Sequence, residues 1–308
     1  MASLSSHLLA SKLFSVKGLV AVVTGGGSGI GLMMTNALAA NGARVYITGR
    51  RKEYLATVVE KYGQGIEGEI IAMPGDVTNK DDLKRIAKEI GDKEGGIHIL
   101  CANAGIAAGS LQSKTKLDGL ETAQDFSDAH LKEEFGGWDD VFRTNASSVF
   151  FTTMAFLPLL EKFTWGRDPA GKAIYEKYQT GVISTTSISG LVRKSQNHFA
   201  YNASKAAANH IHRMLATEVG AKFGVRFNSI APGVFPSEMT GSGSDENNRT
   251  SLENQFDPKS LGVPADRAGM EEEMGGLTLF LSSRAGQYTD GVTNVIDGGT
   301  LSTNPSCY

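Results

Sequence analysis

One glycine-rich turn constrains the fold of this chain more than any other segment. The motif TGGGSGIG (24–31) directly follows the apolar run LVAVVT (19–24) and opens an amphipathic stretch from Ile30 to Asn41. Glycines permit positive φ and a close approach of the backbone to a ligand. The unpaired N–H groups and positive dipole of the following helix suit a pyrophosphate. A tight turn without a ligand is the alternative, but the strand–turn–helix context favours dinucleotide binding.

Short apolar runs alternate with helical segments through the rest of the chain. This alternation predicts a single α/β domain of the doubly wound Rossmann type, over residues 17–308, with residues 1–16 as an N-terminal extension. We expect a seven-stranded parallel sheet with helices on both faces. The apolar runs lie at 19–24, 43–49, 68–73, 97–102, 181–185, 225–230 and 292–296, and the helical patterns at 30–41, 51–62, 79–91, 138–162, 200–222 and 270–283.

Composition narrows the partners of such a domain. With 20% charged residues and a net charge of −3, the chain has no electrostatic reason to bind nucleic acid or an anionic membrane. Of its two cysteines, Cys101 lies in an apolar run and Cys307 near the chain end, so we expect reduced thiols and a cytoplasmic location. The first residues are Ser-rich, but they carry only Lys12 where a transit peptide is normally Arg-rich, which favours a plain extension.

The end of the second predicted strand indicates which dinucleotide is bound. An NAD-selective fold places a carboxylate there for the ribose 2′-hydroxyl, whereas an Arg accommodates the 2′-phosphate of NADP. Here the strand ends in Arg50 and Arg51, and Glu53 lies a few residues further on. A solvated basic start of a helix is the alternative. We favour NADP, with Arg50 as the first candidate and Arg51 as the second.

A second motif, YNASK (201–205), supplies candidate chemistry. Residues four apart share a helix face, so Lys205 can lie near the Tyr201 phenol and favour its phenolate. A proton donor or acceptor near neutral pH is then available. Ser187 follows the preceding strand and could reach the same oxygen, with Ser184 and Ser189 as alternatives. Tyr-x-x-x-Lys alone is more often ordinary helix surface.

Several further positions follow strands or interrupt the pattern. Asp76 follows the third strand, where it could accept a hydrogen bond from adenine or simply cap a turn. Asn145 stands among apolar residues of a helical pattern, and the histidines show no metal-ligand spacing. Three loops, 106–137, 163–179 and 236–264, are long enough to be binding segments. Phe199, Trp138, Trp165 and Met239 are candidates for an apolar pocket, although core packing explains the aromatic residues equally well.

Together these motifs resemble the short-chain dehydrogenase/reductase family, in particular fungal β-ketoacyl-type and secondary-metabolite reductases. The resemblance spans Lys17 to Leu301 and is carried by TGGGSGIG (24–31), DV (76–77), ANAG (102–105), Asn145, Ser187, YNASK (201–205), APG (231–233) and VIDGG (295–299). It implies a catalytic tetrad of Asn145, Ser187, Tyr201 and Lys205. The positions that it assigns to the cofactor are Gly25, Ser28, Gly29, Ile30, Gly31, Arg50, Arg51, Asp76, Val77, Asn103, Ala104, Gly105, Tyr201, Lys205, Pro232, Gly233, Phe235 and Ser237.

The resemblance implies an NADPH-dependent reductase of ketones or aldehydes, working reversibly by hydride transfer, with Tyr201 as general acid or base and no metal. It also implies a homotetramer or dimer. An NAD-linked dehydrogenase of polyols, sugars or steroids shares these motifs, and a non-catalytic dinucleotide sensor could share the fold. Ser187 lies one residue further from Tyr201 than the commonest family spacing, and residues 236–264 are expected to form the substrate loop.

Overall fold

A seven-stranded parallel sheet forms the centre of the molecule. The computed structural model describes residues 5–109, 114–164, 178–241, 243–252, 257–259 and 262–304. The strand order is β3-β2-β1-β4-β5-β6-β7, and every neighbouring pair is parallel. This confirms the doubly wound Rossmann prediction. The strands are β1 Val20–Thr24, β2 Arg44–Thr48, β3 Glu69–Ala72, β4 Ile99–Ala102, β5 Gly181–Thr185, β6 Arg226–Pro232 and β7 Thr293–Ile296.

Helices follow the strands. Two five-residue π-turns, Arg143–Ser147 and Ala216–Gly220, follow α6 and α8 directly. The α-helices of the described residues are α1 Ala10–Leu13, α2 Gly29–Ala40, α3 Lys52–Tyr62, α4 Lys80–Glu94, α5 Ala123–His130, α6 Phe135–Phe142, α7 Ser148–Phe163, α8 Phe199–Leu215, α9 Ala221–Phe223, α10 Glu271–Ser282 and α11 Thr300–Thr303.

Side chains of each strand point alternately to the two faces of the sheet, so the protein has two apolar cores. Ala21 and Val23 of β1 belong to the core beneath α2, α3 and α10. Val20 and Val22 belong to the opposite core, beneath α4, α7 and α8. Because both faces are buried, the strands read as continuous apolar runs. Cys101 lies in the first core as a free thiol whose pKa burial raises to about 12, whereas Cys307 lies outside the described residues.

Two predicted segments differ from the structure. The loop predicted at 106–137 contains α5, which begins with a capping box in which Thr122 and Asp125 satisfy each other's backbone N–H groups. The single helical pattern at 138–162 is two helices, α6 and α7, joined by the π-turn at Arg143–Ser147. Most of the predicted loop 163–179, including Trp165, lies outside the described residues.

One charged side chain is buried inside the sheet. Arg226 of β6 is 1% exposed, and its guanidinium donates to the backbone oxygens of Leu281 at 2.9 Å, Gly286 at 3.1 Å and Thr289 at 3.3 Å. A weaker contact reaches the Gln179 oxygen at 3.4 Å. Burial lowers the pKa of Arg226. The guanidinium thus joins the sheet to the end of α10 and to the segment that leads into β7.

Candidate active site

The main cleft lies at the carboxyl ends of the strands. Its volume is about 690 Å³, and it spans the crossover between β1 and β4, where the strand order reverses. In open α/β sheets this is the position of ligand sites. Each loop that leaves the carboxyl end of β1 to β6 contributes to the lining, which runs from Gly25 to Thr240.

The glycine-rich turn forms one wall of the cleft, and two of its glycines have no room for a side chain. A Cβ on Gly31 would lie 2.0 Å from the Gly25 carbonyl oxygen, which no structure tolerates. Gly29 has φ +52°, and a Cβ there would lie 2.9 Å from the Ser237 side chain. The turn therefore leaves a bare backbone cradle at the start of α2, and this cradle fits the pyrophosphate of a dinucleotide.

The ends of β1 and β4 are tied together beside this turn. The Thr24 hydroxyl accepts from the N–H groups of Asn103 at 2.9 Å and Ala104 at 3.0 Å. The Asn103 amide donates to the Thr24 carbonyl oxygen at 2.9 Å. The ANAG segment is thus held in place by hydrogen bonds along the floor of the cleft.

A basic corner closes the cleft at the end of β2. Arg50 is exposed and lines the cleft. Arg51 makes two parallel hydrogen bonds to the Glu238 carboxylate, at 2.9 and 2.7 Å, and its guanidinium lies 3.5 Å from the centre of the Tyr54 ring. The Ser28 hydroxyl accepts a third, longer bond from Arg51 at 3.3 Å. The hydrogen bonds to Glu238 raise the pKa of Arg51. The same bonds are the largest cause of the lowered pKa of Glu238.

Tyr201, Lys205 and Ser187 meet at the other end of the cleft. Tyr201 and Lys205 lie one turn apart on α8, and the Lys205 ammonium is 5.8 Å from the Tyr201 ring centre. That ammonium donates to the Thr185 carbonyl oxygen at the end of β5, at 3.0 Å. Ser187 hydrogen-bonds to Tyr201, whereas Ser184 is buried within β5 and the Ser189 hydroxyl donates to Gln196. Among the three serines, Ser187 is the one beside the phenol.

Burial is the largest influence on the pKa values of Tyr201 and Lys205. It raises the pKa of the Tyr201 phenol, and the hydrogen bond from Ser187 acts in the opposite direction. It lowers the pKa of Lys205, which is 3% exposed, to about 8. The influence of Lys205 on the phenol, expected from the spacing, is therefore secondary to desolvation here. Near neutral pH the phenol holds its proton and the ammonium holds its charge.

Asn145 lies behind the cleft rather than in it. It is 1% exposed and sits in the π-turn at Arg143–Ser147, an irregularity frequent at functional sites. Its amide accepts from the Ile106 N–H at 2.8 Å and donates to the Ile106 oxygen at 2.9 Å and to the Ser204 hydroxyl at 3.0 Å. Asn145 thereby links the loop after β4 to α8. A Cβ on Gly105 would lie 3.1 Å from the Asn145 amide oxygen and 3.4 Å from the Lys205 ammonium, so Gly105 lies between these two groups.

The connection before α8 contains an unusual backbone pair. Gln196 and Asn197 both have positive φ, +53° and +64°. Their side chains accept hydrogen bonds from the Ser189 hydroxyl at 2.8 Å and from the Leu117 N–H at 3.2 Å. This pair lies in the stretch between Ser187 and Tyr201 that is one residue longer than the common family spacing.

The loop after β6 crosses the basic end of the cleft. We call residues 237–241 and 243–250 the strap. Asn248 donates to the oxygens of Gly27 at 3.0 Å and Tyr54 at 2.8 Å, and the Tyr62 hydroxyl donates to the Asn247 oxygen at 2.7 Å. These contacts place the strap against the glycine-rich turn and α3.

Every position assigned to the cofactor from sequence lines the cleft, as does Ser187. Asp76 lines it too, with one oxygen accepting from the N–H and hydroxyl of Thr78, both at 2.8 Å. Met239 is part of the lining, whereas Trp138 and Phe199 are not. Sequence reasoning missed lining residues that belong to no motif. Among them are Tyr54, Asp140, Arg143, Thr144 and Glu238, and the position of Glu238 beside Ser237 could have pointed to that residue.

The described part of the chain lacks both a candidate metal site and a membrane-spanning helix. It contains no group of three or more His, Cys, Asp or Glu side chains that could hold a metal ion. It also contains no helix long and apolar enough to cross a membrane.

The sheet, the bare turn at its switch point and the Tyr–Lys pair define a dinucleotide-binding oxidoreductase of the Rossmann class. More narrowly, the chain belongs to the short-chain dehydrogenase family, whose model matches residues 19–248. It is 39% identical over 311 residues to short-chain dehydrogenase/reductase PhomF of Diaporthe leptostromiformis, covering 99% of both chains.

Two bacterial comparisons add to this. The chain is 32% identical over 286 residues to the rhamnolipids biosynthesis 3-oxoacyl-[acyl-carrier-protein] reductase of Pseudomonas aeruginosa, covering 93% of this chain and 97% of that protein. Its fold is similar to that of the Pseudomonas aeruginosa RhlG/NADP active-site complex, with a TM-score of 0.72, 31% identity and coverage of 94% of this chain and 98% of that one.

Proposed function

We propose that this protein is an NADPH-dependent reductase of a ketone or aldehyde, acting reversibly. The observation that carries the proposal is the convergence of Tyr201, Ser187 and Lys205 at one end of a cleft whose other end has a bare glycine turn and two arginines. Such a cleft holds an extended dinucleotide with its reactive ring beside a proton donor. The similarity to a 3-oxoacyl reductase supports carbonyl reduction as the direction.

Each residue of the reactive end has a separate task. When bound, the nicotinamide supplies the hydride that the substrate carbonyl carbon accepts. The carbonyl oxygen then needs a proton, which the Tyr201 hydroxyl donates while the Ser187 hydroxyl holds the same oxygen by a hydrogen bond. The Lys205 ammonium stabilises the phenolate that remains. Asn145 is a positioning residue, because it binds Ile106 and Ser204 instead of facing the cleft.

NADP is favoured over NAD by the chemistry of the basic corner. Arg50 and Arg51 lie at the end of β2, where an NAD-selective protein carries a carboxylate. A guanidinium pairs well with a phosphate through parallel hydrogen bonds. The similarity to a structure solved with NADP agrees with this choice.

Turnover measurements test the proposal directly. Purified protein should oxidise NADPH in the presence of a panel of ketones, aldehydes and 3-oxoacyl thioesters, followed at the NADPH absorbance. Parallel assays with NADH should give a markedly lower kcat/KM. Faster turnover with NADH would indicate an NAD-linked dehydrogenase instead, and dinucleotide binding without turnover on any carbonyl would indicate a sensor.

The pH dependence of the reaction should follow Lys205. Its pKa is about 8, so the ammonium loses its charge as the pH rises through that value, while the Tyr201 phenol, whose pKa is raised, keeps its proton. We expect kcat/KM for NADPH, which reports the free enzyme, to be level below pH 7 and to fall above about pH 8. The variant Lys205→Arg keeps its positive charge over this pH range. Its turnover should be slower, but its pH profile should lack the fall above about pH 8. A profile of the unaltered protein that stays level to pH 9.5 would contradict the role of Lys205.

A further inference from the structure

Glu238 is a carboxylate placed where an anionic ligand is expected. It lies on the strap, yet its two oxygens take the two parallel hydrogen bonds of the Arg51 guanidinium on the far side of the cleft. The Tyr54 and Ser244 hydroxyls each donate to the same carboxylate at 3.0 Å. Four donors thus converge on Glu238, and they form a ready-made anion site in which the protein's own side chain sits.

A phosphate and this carboxylate cannot both use Arg51 in the same way. The edge of the guanidinium formed by its two terminal nitrogens matches one carboxylate or one phosphate, and Glu238 occupies that edge. A terminal nitrogen also donates to the Ser28 hydroxyl. A phosphate brought beside an unmoved Glu238 would also meet a like charge. Binding of the 2′-phosphate through this edge of Arg51 therefore requires that Glu238 leaves it.

Displacing the Glu238 carboxylate from Arg51 costs little free energy. The Arg51 side chain is 46% exposed and that of Glu238 is 30% exposed, so the ion pair is well solvated. Water screens such a pair, so it holds the carboxylate less firmly than a buried ion pair would. The rest of the strap has independent contacts, through Asn248 to Gly27 and Tyr54 and through Arg249 to Glu271 at 2.9 Å. Glu238 can move without releasing the whole segment.

We propose that Glu238 is an internal competitor for the 2′-phosphate of NADPH and thereby limits the preference of this protein for NADPH over NADH. The inference rests on the proposed function, since it assigns the basic corner to that phosphate. NADH carries a hydroxyl at this position and leaves the Arg51–Glu238 pair intact. Only the phosphorylated cofactor has to displace the carboxylate, so Glu238 acts on one dinucleotide and not on the other.

The test is binding of NADP+ and NAD+ measured by isothermal titration calorimetry, which needs no turnover. Glu238→Gln keeps the size of the side chain and removes its charge. We expect this variant to bind NADP+ about fivefold more tightly while its Kd for NAD+ changes by less than about twofold. Adenosine 2′,5′-bisphosphate and 5′-AMP should show the same difference, because they carry only the adenosine end of the cofactors.

Two further variants distinguish the direct contact between Glu238 and Arg51 from the general effect of a nearby negative charge. Glu53→Gln removes an exposed carboxylate from the same corner that makes no hydrogen bond to Arg51, and it should leave the ratio of the two Kd values within about twofold of its starting value. In an Arg51→Ala background, Glu238→Gln should no longer tighten NADP+ selectively, since the contested guanidinium is gone.

The outcomes are distinct for the two proposals. If Glu238→Gln weakens NADP+ binding, or shifts NADP+ and NAD+ equally, Glu238 is not a competitor, whichever cofactor the unaltered protein prefers. If the selective effect persists without Arg51, the competition does not pass through that guanidinium and the inference is overturned. A preference of the unaltered protein for NAD+ would instead contradict the proposed cofactor.

Discussion

Replacing Tyr201 by phenylalanine should lower kcat for carbonyl reduction by about 10²–10⁴-fold, the range expected when a general acid is lost. The phenyl ring keeps the packing of α8, including the edge contact with His198 at 6.0 Å between ring centres. Only the hydroxyl that Ser187 binds is removed. Because the glycine turn and the basic corner are unaffected, the Kd for NADPH should stay within about threefold of its value in the unaltered protein. A threefold change corresponds to less than about 1 kcal/mol of binding free energy. Stopped-flow reduction and calorimetric binding measure the two quantities separately.

A second tyrosine supplies the matched control. Tyr178 is 1% exposed, and its hydroxyl donates to the Ser282 oxygen at 2.8 Å, away from the cleft. Tyr178→Phe also removes one buried hydroxyl, and it should cost stability by about 1 kcal/mol without a comparable loss of kcat. If Tyr201→Phe and Tyr178→Phe reduce kcat to the same small extent, Tyr201 is not the proton donor.

Replacing Arg226 by methionine should lower the free energy of unfolding by about 3–5 kcal/mol, because three buried carbonyl oxygens lose a donor and each such loss costs about 1–3 kcal/mol. Methionine keeps an unbranched apolar stem and removes the guanidinium with its charge and its hydrogen bonds. The carbonyl oxygens of Leu281, Gly286 and Thr289 would lose their donor inside the protein, where no water replaces it. Urea unfolding followed by circular dichroism gives the value directly.

Arg213→Met is the control for this substitution. Arg213 lies exposed on α8, and the same exchange there should change stability by no more than about 0.5 kcal/mol. The folded Arg226→Met protein should still bind NADPH, since β6 contributes to the cleft through its other end. An unfolding free energy equal to that of Arg213→Met would show that the buried guanidinium contributes little net stability.

Sequence patterns predicted the sheet and the cleft because both depend on regular features. Strands covered on both faces are continuous apolar runs, and loops at the carboxyl ends of parallel strands must meet at one edge. Short motifs such as TGGGSGIG therefore point to this edge of the sheet even without knowledge of the packing.

The interactions missed from sequence depend on packing between distant segments. Nothing local in the sequence pairs Arg51 with Glu238, which lies 187 positions further along the chain. The π-turn around Asn145 has no residue signature, and α5 is a short helix whose capping box stands in a polar segment. Arg226 lies in an otherwise apolar strand, and its partners are backbone oxygens of other elements. Backbone oxygens leave no residue signature, so the sequence does not show that this arginine is buried.

The left-handed pair Gln196–Asn197 has a consequence for redesign of the protein. Non-glycine residues in this conformation carry a cost of about 1–2 kcal/mol each, somewhat less for Asn, and persist only when neighbouring contacts hold them. One of those contacts comes from Leu117, in the segment between β4 and α6. A graft that exchanges this segment for that of a relative would remove this hydrogen bond from the turn before α8. Residues 114–118 and 189–198 therefore form one module, and a change of specificity built by loop exchange has to transplant both.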